Sequence, residues 1–493
     1  MNNTSFYEKN YDYIIIGGGC FGLHTAFFLR KILPDKYRIA IIDPFDGKNA
    51  TINSGLGTLF YTPKLNFLDI IPFPWESKFN RQSKINKNKI LIDYDENTYK
   101  KYGFTWLFNF FIENFMNYKK NRKTMIELSK ENEKLLRNIG LINERNFVSC
   151  DYDREHIKPT VYYKKNYFPD LIQRLKTYNN VFMIKGYVSK IYNNDGDNVI
   201  VDVVQKNYMN YMNYNDKRND MFREYVIKIK SKNIILTNGV NINQFISKKS
   251  FSSNIKSIHI PEQIGELVKP VYGYSIDVEI DNHKTGYLGK GKNGIKCFTK
   301  HGNIFITPLT SFKRGGKYNE SAVIRITTSI VFTDASKYGT KIHPKIVEIL
   351  SILKNDYGIY WKRVINVWSG ARPMTIDTLP FYGMVSPDMK NKNIQSSCNI
   401  YYMSGGSFIG THFSGIFSYW FCKYILTKGE YNRVSGSNGD DDNNMYKCPY
   451  YNSISDFDPH VNRLLIKSET NIYKSIGNCI LLIAIFIICY RFL

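Results

Sequence analysis

Two short apolar runs frame the start of the chain. Tyr11-Asp12-Tyr13-Ile14-Ile15-Ile16 is followed at once by Gly17-Gly18-Gly19-Cys20-Phe21-Gly22, and Arg38-Ile39-Ala40-Ile41-Ile42 ends on Asp43. Both runs read as strands. Between them Leu23 to Leu33 is helix-forming and stops at Pro34. The order strand, glycine turn, helix, strand, acid is the dinucleotide-binding pattern in the context that pattern requires. Gly17 allows the tight turn, Gly19 lets backbone N–H groups approach a pyrophosphate at the helix N-terminus, and Gly22 lets the helix pack on the strand. Cys20 and Phe21 lie within the same turn and join it as candidate cofactor contacts. Asp43 is placed to accept hydrogen bonds from a ribose. The plain alternative is a glycine-rich strand-to-helix turn without a ligand.

Further along, Asn49 to Gly57 is small and polar and reads as a loop, and Lys78 to Lys89 is charged. A long helical region is expected from Tyr99 to Ile139. Its first half carries Phe104, Trp106, Phe108, Phe110, Phe111 and Phe115, read as core packing; its second half is charged. A helix is expected from Pro169 to Thr177 with the proline at its first position, then a strand from Val181 to Ile191 that includes Val188. Asn207 to Asn215 is a low-complexity insert. Strands follow at Tyr225–Ile229, Asn233–Leu236, Val268–Ile280, Ile304–Thr307 and Ala322–Thr328, with a helix at Pro344–Lys354.

The composition narrows this picture. A chain of 493 residues, 43% of them hydrophobic, is long enough for two or more domains. The formal charge of +24 invites nucleic acid or an anionic membrane as partner. Much of the excess lies in Lys/Asn-rich stretches such as Lys84 to Lys89, so compositional bias is the simpler cause and nucleic acid is not expected. Eight scattered cysteines without a CxxC pair suit a reducing compartment, with neither a disulfide framework nor a metal site. The first ten residues resemble no secretory signal. At the other end Cys479 to Tyr490 is unbroken and apolar. As a helix, residues 476–493 would span about 27 Å, with Arg491 reaching the far interface. The tail reads as a membrane anchor for a cytosolic body, with the mitochondrial surface one destination. The plain alternative is a terminal helix docked in an apolar groove.

Four separated segments together resemble the D-amino-acid oxidase superfamily of flavoproteins, in that family's order. They are the N-terminal fingerprint; the loop ending Asn53-Ser54-Gly55; Ile234-Ile235-Leu236-Thr237-Asn238-Gly239; and Trp368-Ser369-Gly370-Ala371-Arg372-Pro373-Met374-Thr375-Ile376-Asp377-Thr378-Leu379-Pro380-Phe381-Tyr382-Gly383. The last is similar to the family signature GxRPxTpDxxPxxG. Tyr401 to Gly410 stands where the family has its final strand and flavin-facing glycine turn. The nearest branch resembles the bacterial D-amino-acid dehydrogenase small subunit, with glycine oxidase close behind, and Lys269-Pro270-Val271-Tyr272-Gly273-Tyr274-Ser275 is similar to a substrate-domain strand of that branch. Three departures bear on substrate and acceptor: Gly-Gly-Ser in the last turn, Ile376 in place of a common proline, and Thr51 near a frequent serine.

The resemblance implies an α/β fold. A Rossmann-like FAD-binding domain (1–75, 160–262 and 362–430) is interleaved with a β-sheet-containing substrate domain (76–159 and 263–361), followed by a linker (431–475) and the membrane helix (476–493). It implies noncovalent FAD, where the fingerprint alone also allows NAD. The expected cofactor contacts are Gly17, Gly19, Cys20, Phe21, Gly22, Asp43, Asn53, Ser54, Gly55, Val188, Thr237, Asn238, Gly239, Gly405, Gly406, Phe408, Ile409 and Gly410. Arg372 is implied as the clamp for a substrate carboxylate, because a guanidinium fixes a carboxylate through two parallel hydrogen bonds. Tyr272 and Tyr274, and more weakly Tyr287, are candidate hydroxyls for the pocket. His412 is a further weak candidate, and His24 reads as packing. The expected reaction is oxidation of the C–N bond of a small amino acid or secondary amine, with a quinone or oxygen as acceptor. Alternatives are an oxidase acting on an amine of a modified tRNA base, and a scaffold that kept the fold without catalysis. The tail makes a first prediction: alkaline carbonate leaves the full-length protein in the membrane pellet, and release into the soluble fraction contradicts the anchor.

Overall fold

The polypeptide enters its central sheet at β1 (Tyr13–Ile16), turns through the glycines into α1 (Cys20–Ile32), and returns beside β1 as β2 (Ile39–Asp43). α2 (Lys164–Lys176) leads to β3 (Val181–Lys185), and β4 is Asn233–Leu236. The long strands β5 (Lys269–Ile280) and β6 (Trp361–Met374) come next, then β7 (Phe381–Met384), β8 (Asn399–Ser404) and α3 (Ser414–Gly429). This computed structural model describes residues 9–45, 56–58, 106, 110, 127–142, 147–149, 160–193, 198–207, 223–245, 256–257, 268–281, 296–298, 304–308, 322–327, 350–351, 354–355, 360–384, 399–406 and 410–429.

The central sheet has the order β7-β8-β4-β1-β2-β3. All neighbours are parallel except β7, which runs antiparallel to β8. The chain moves outward from β1 to β2 and β3, then returns to the other side of β1 as β4 and β8. That reversal makes the crevice at the C-terminal ends of β1 and β4 the place where such sheets bind ligands. Successive residues of each strand point to opposite faces, and both faces are covered. Tyr13, Ile15, Ile39, Ile41 and Ile235 pack in one cluster with α1, α2 and α3. Ile14, Ile16, Ala40, Ile42 and Ile234 pack in another with Val199, Val201 and Val203. Burial on both sides explains why the strands read as unbroken apolar runs. Each buried isoleucine contributes about 1.5–3 kcal/mol of transfer free energy.

The second cover is a five-stranded sheet ordered Lys9–Asn10, Arg223–Ser231, Val199–Asn207, Tyr187–Asn193, Lys256–Ser257. A separate antiparallel sheet runs Lys296–Phe298, Ile304–Pro308, Ala322–Thr327, β5, β6. Within it Arg325 grips Asp277 on the facing strand through two hydrogen bonds of 2.6 and 2.8 Å.

Several expectations change. The strand expected from Val181 to Ile191 is two strands in two sheets, parted at Gly186. The Gly186 N–H bonds the Asp43 carbonyl at 3.1 Å, and a Cβ there would lie 2.6 Å from Val203 Cγ1. α2 starts at Lys164, so Pro169 lies inside the helix rather than at its start. Buried Tyr167 and Phe168 draw the preceding turn into the helix, and packing overrides the proline. β6 and α3 were not expected. Of the long helical region, residues 127–138 are helical, as are Trp106 and Phe110, which are buried and stacked at 5.3 Å; the remainder lies outside the described residues. So does most of the helix expected at Pro344–Lys354, and so does the whole tail. Among the described residues no helix is long and apolar enough to cross a membrane.

A Cβ on Gly22 would collide with the Gly17 carbonyl oxygen and lie 2.7 Å from Thr237 Oγ1. Gly22→Ala should destabilise the protein by about 3 kcal/mol, read as a lower midpoint in urea unfolding. An unchanged midpoint would contradict this packing.

Candidate functional site

The first half of the site is built where β1, α1 and β4 meet. Gly17 has φ +107°, a left-handed conformation that favours glycine. A Cβ there would also lie 2.8 Å from the Asn238 Cα, because the turns after β1 and β4 touch. α1 begins after Gly19 with no side-chain cap and no acid in its first turn. Its first N–H groups and the positive end of its dipole therefore face the crevice, an arrangement that suits an anion. Cys20, Phe21 and Gly22, in that first turn, are buried.

Asp43 first braces the turn. Its Oδ2 accepts the Gly18 N–H at 2.7 Å and its Oδ1 the Phe45 N–H at 2.8 Å. Each carboxylate oxygen carries more than one lone-pair site. Thr237 is likewise a brace: its hydroxyl is shared between the carbonyls of Ile16 (3.1 Å) and Gly17 (2.9 Å). Asn238 differs. Its amide nitrogen and oxygen are both buried and without a hydrogen-bond partner among the described residues. A buried amide left in that state costs about 1–3 kcal/mol, so a polar ligand in the crevice fits it. Gly239, with φ +60°, completes this turn. Val188 stands two residues past Gly186, whose N–H bonds the Asp43 carbonyl, and pairs with Val203.

The second half comes from the ends of β6 and β8. Gly405 has φ +80°, and a Cβ there would lie 2.8 Å from Thr375 Cγ2. A Cβ on Gly406 would lie 2.9 Å from the Phe21 ring, and one on Gly410 3.9 Å from Cys20 Sγ. The last glycine turn thus sits directly on the first turn of α1. Pro373 at the end of β6 approaches Gly239, with its Cγ 3.8 Å from where a Cβ would stand. Arg372 directly precedes this stretch, in which Pro373 approaches Gly239 and Thr375 meets Gly405. Burial pushes its guanidinium down to about 10, although the residue as a whole keeps part of its exposure. It is charged at neutral pH, and a desolvated cation favours a bound carboxylate.

The Thr375–Leu379 turn after Arg372 is buried and tightly tied. Thr378 N–H bonds the Thr375 carbonyl (3.2 Å), Thr375 Oγ1 the Leu379 carbonyl (2.8 Å), and Leu379 N–H the Asp377 carboxylate (3.1 Å). These bonds hold Thr378 at φ +63°, which costs a β-branched residue about 1–2 kcal/mol.

In the β5/β6 ladder Arg372 stands opposite Val271, whereas Tyr272 pairs with Ala371 and Tyr274 with Ser369. Positions 272 and 274 therefore belong to the alternate face. Asn53, Ser54, Gly55, Tyr287, Phe408 and Ile409 lie outside the described residues. Of the buried stretch Thr411 to Gly415, where a short 3-10 turn leads into α3, the sequence reading named only His412. Its signal was Gly415 directly before the apolar run Ile416-Phe417.

His24 is buried one turn into α1. Its Nδ1 is 2.7 Å from the Cys20 carbonyl, which can only accept, so Nδ1 carries the proton. Nε2, 2.7 Å from the Tyr167 hydroxyl, then accepts from it. Burial pushes this imidazole down to about 4, against the raising effect of the Cys20 bond.

No family model matches the chain, and no curated protein matches it. Solved structures of amino-acid and amine oxidases match it at low identity. An iminodiacetate oxidase from Chelativorans sp. BNC1 is 12% identical with a TM-score of 0.42, covering 84% of this chain and 95% of that one. A glycine oxidase from Geobacillus kaustophilus is 13% identical with a TM-score of 0.39, covering 87% and 97%. An L-proline dehydrogenase from P. horikoshii is 12% identical with a TM-score of 0.38, covering 86% and 95%. At such identities neither substrate nor cofactor carries over from them.

His24 sets a pH dependence. Because its folded value lies below the usual 6.5, the unfolded chain binds more protons between pH 6.5 and 4, and stability is lost as pH falls through that window. From pH 7 to 4.5 the wild type should lose about 2 kcal/mol more than His24→Gln in urea unfolding. A difference that does not grow on acidification would contradict the buried neutral imidazole.

Proposed function

We propose that this protein is an FAD-dependent oxidoreductase that oxidises the C–N bond of a small amino acid or secondary amine. The observation that carries the proposal is the convergence at the C-terminal ends of β1 and β4. The uncapped start of α1, the buried amide of Asn238 and the glycines Gly405, Gly406 and Gly410 come together there, and Arg372 stands near the end of β6, just before Pro373, which approaches Gly239.

The residues fit the cofactor's two halves. The α1 N-terminus would hold the pyrophosphate, Asp43 the ribose and Val188 the adenine side, while Asn238 would bond the adenylate. The backbone of Gly405, Gly406 and Gly410 would approach the flavin ring, where N–H groups favour negative charge on its pyrimidine edge. Bound FAD would supply the hydride acceptor at N5, leaving an imine for water to hydrolyse. Arg372 would bind the substrate carboxylate through two parallel bonds and so fix the direction of the Cα–H. The strained Thr378 turn would keep Arg372 in register with Gly405. The body is proposed to work at a membrane held by residues 476–493, with a quinone or oxygen as acceptor.

Arg372→Ala should keep its flavin spectrum and lose about a thousandfold in kcat/KM for a carboxylate substrate, ~4 kcal/mol for a charged bidentate pair. Arg372→Lys should fall between the two, because an ammonium keeps the charge without the fork. An Ala variant as active as the wild type would remove Arg372 from the clamp.

A further inference from the structure

α3 begins without a cap of its own. The Phe417 N–H bonds the Phe413 carbonyl at 2.9 Å, so Phe413 holds the N-cap position, and its side chain accepts nothing. The missing acceptor comes from another helix. Asn132 Oδ1 accepts the Ile416 N–H at 2.9 Å, across 284 residues of sequence. Ile416 is the third residue of α3, where N-cap side chains bond. Asn132 is fully buried, and Gly415 leaves it room: a Cβ there would lie 2.7 Å from Asn132 Oδ1 and 2.6 Å from Leu136 Cδ2. Farther along α3, Ser418 Oγ donates to the Phe21 carbonyl at 3.2 Å, tying the helix to the first turn of α1. The start of α3 is thus held from both sides, directly after the 3-10 turn at Gly410–His412.

We propose that Asn132 is a positioning residue for the cofactor, acting through α3. It takes one of the N–H groups that an α-helix leaves without an internal acceptor. The start of α3 directly follows the Gly410–His412 turn, so the cap fixes that helix end beside the glycines Gly405, Gly406 and Gly410. The positive end of α3, held there, would favour negative charge on a flavin bound against those glycines. This inference rests on the flavin reading given above.

The test uses the full-length protein with Asn132→Leu, which keeps the volume and removes the acceptor, and Asn132→Asp, which keeps the acceptor and adds negative charge. In the Leu variant, hydrogen exchange over Gly415 to Phe417 should be at least tenfold faster while β1 and β4 are unchanged, and FAD should bind about tenfold more weakly. In the Asp variant the protection and FAD affinity should return, with the flavin midpoint potential shifted negative. Unchanged exchange at Ile416 in the Leu variant overturns the cap. Faster exchange spread over the whole molecule, without rescue by Asp, overturns positioning in favour of plain stability. If the Leu variant does not fold, the Asp variant decides: a negative shift supports the inference and an unchanged midpoint overturns it. A wild type that binds no FAD overturns the flavin reading and the positioning role with it, while the exchange arm still judges the cap.

Discussion

The structure depends on one close approach, that of α1 to the turn after β1. A hydrogen atom at position 22 lets the helix sit on the Gly17 carbonyl, and Thr237 Oγ1 reaches over from β4 to bond that carbonyl. Three elements meet in a space that a single methyl group would fill. From this contact follow the direction of α1, the placing of its N-terminus at the C-terminal end of β1, and the meeting of the turns after β1 and β4. The rest of the site is stacked on the same point. Phe21 carries Gly406, Gly405 rests on Thr375, and Pro373 rests near Gly239.

Much of this was legible in the sequence because the signals were local. Runs such as Tyr13–Ile16 and Ile234–Leu236 are apolar at every position because both sheet faces are covered, so their burial shows without knowledge of their partners. Gly17 and Gly22 were legible because their requirement is a backbone one. Asp43 was legible in place and only partly in role. Its position after β2 shows in the sequence, but its bonds to Gly18 and Phe45 depend on the folded turn.

What was not legible depended on partners far away in the chain. Gly186 ends β3 because Val203 leaves no room for a side chain, and no local pattern shows that. Pro169 argued for a helix start, yet Tyr167 and Phe168 needed the core on the other side of it. The faces of Tyr272, Tyr274 and Arg372 follow from a ladder between strands about a hundred residues apart, where a shift of one residue exchanges the faces. Asn132 showed nothing in sequence, because the donor it serves is in α3. Residues that act through the backbone of their own turn could be read from the sequence; residues that act across the fold had to be seen.

The most direct test of the central claim is the visible spectrum of the purified protein, before and after anaerobic mixing with D- and L-amino acids, glycine, sarcosine and proline. Flavin absorbance that bleaches with one of these compounds is the predicted result, and it names the substrate class at the same time. A colourless protein that takes up no FAD on reconstitution would contradict the claim.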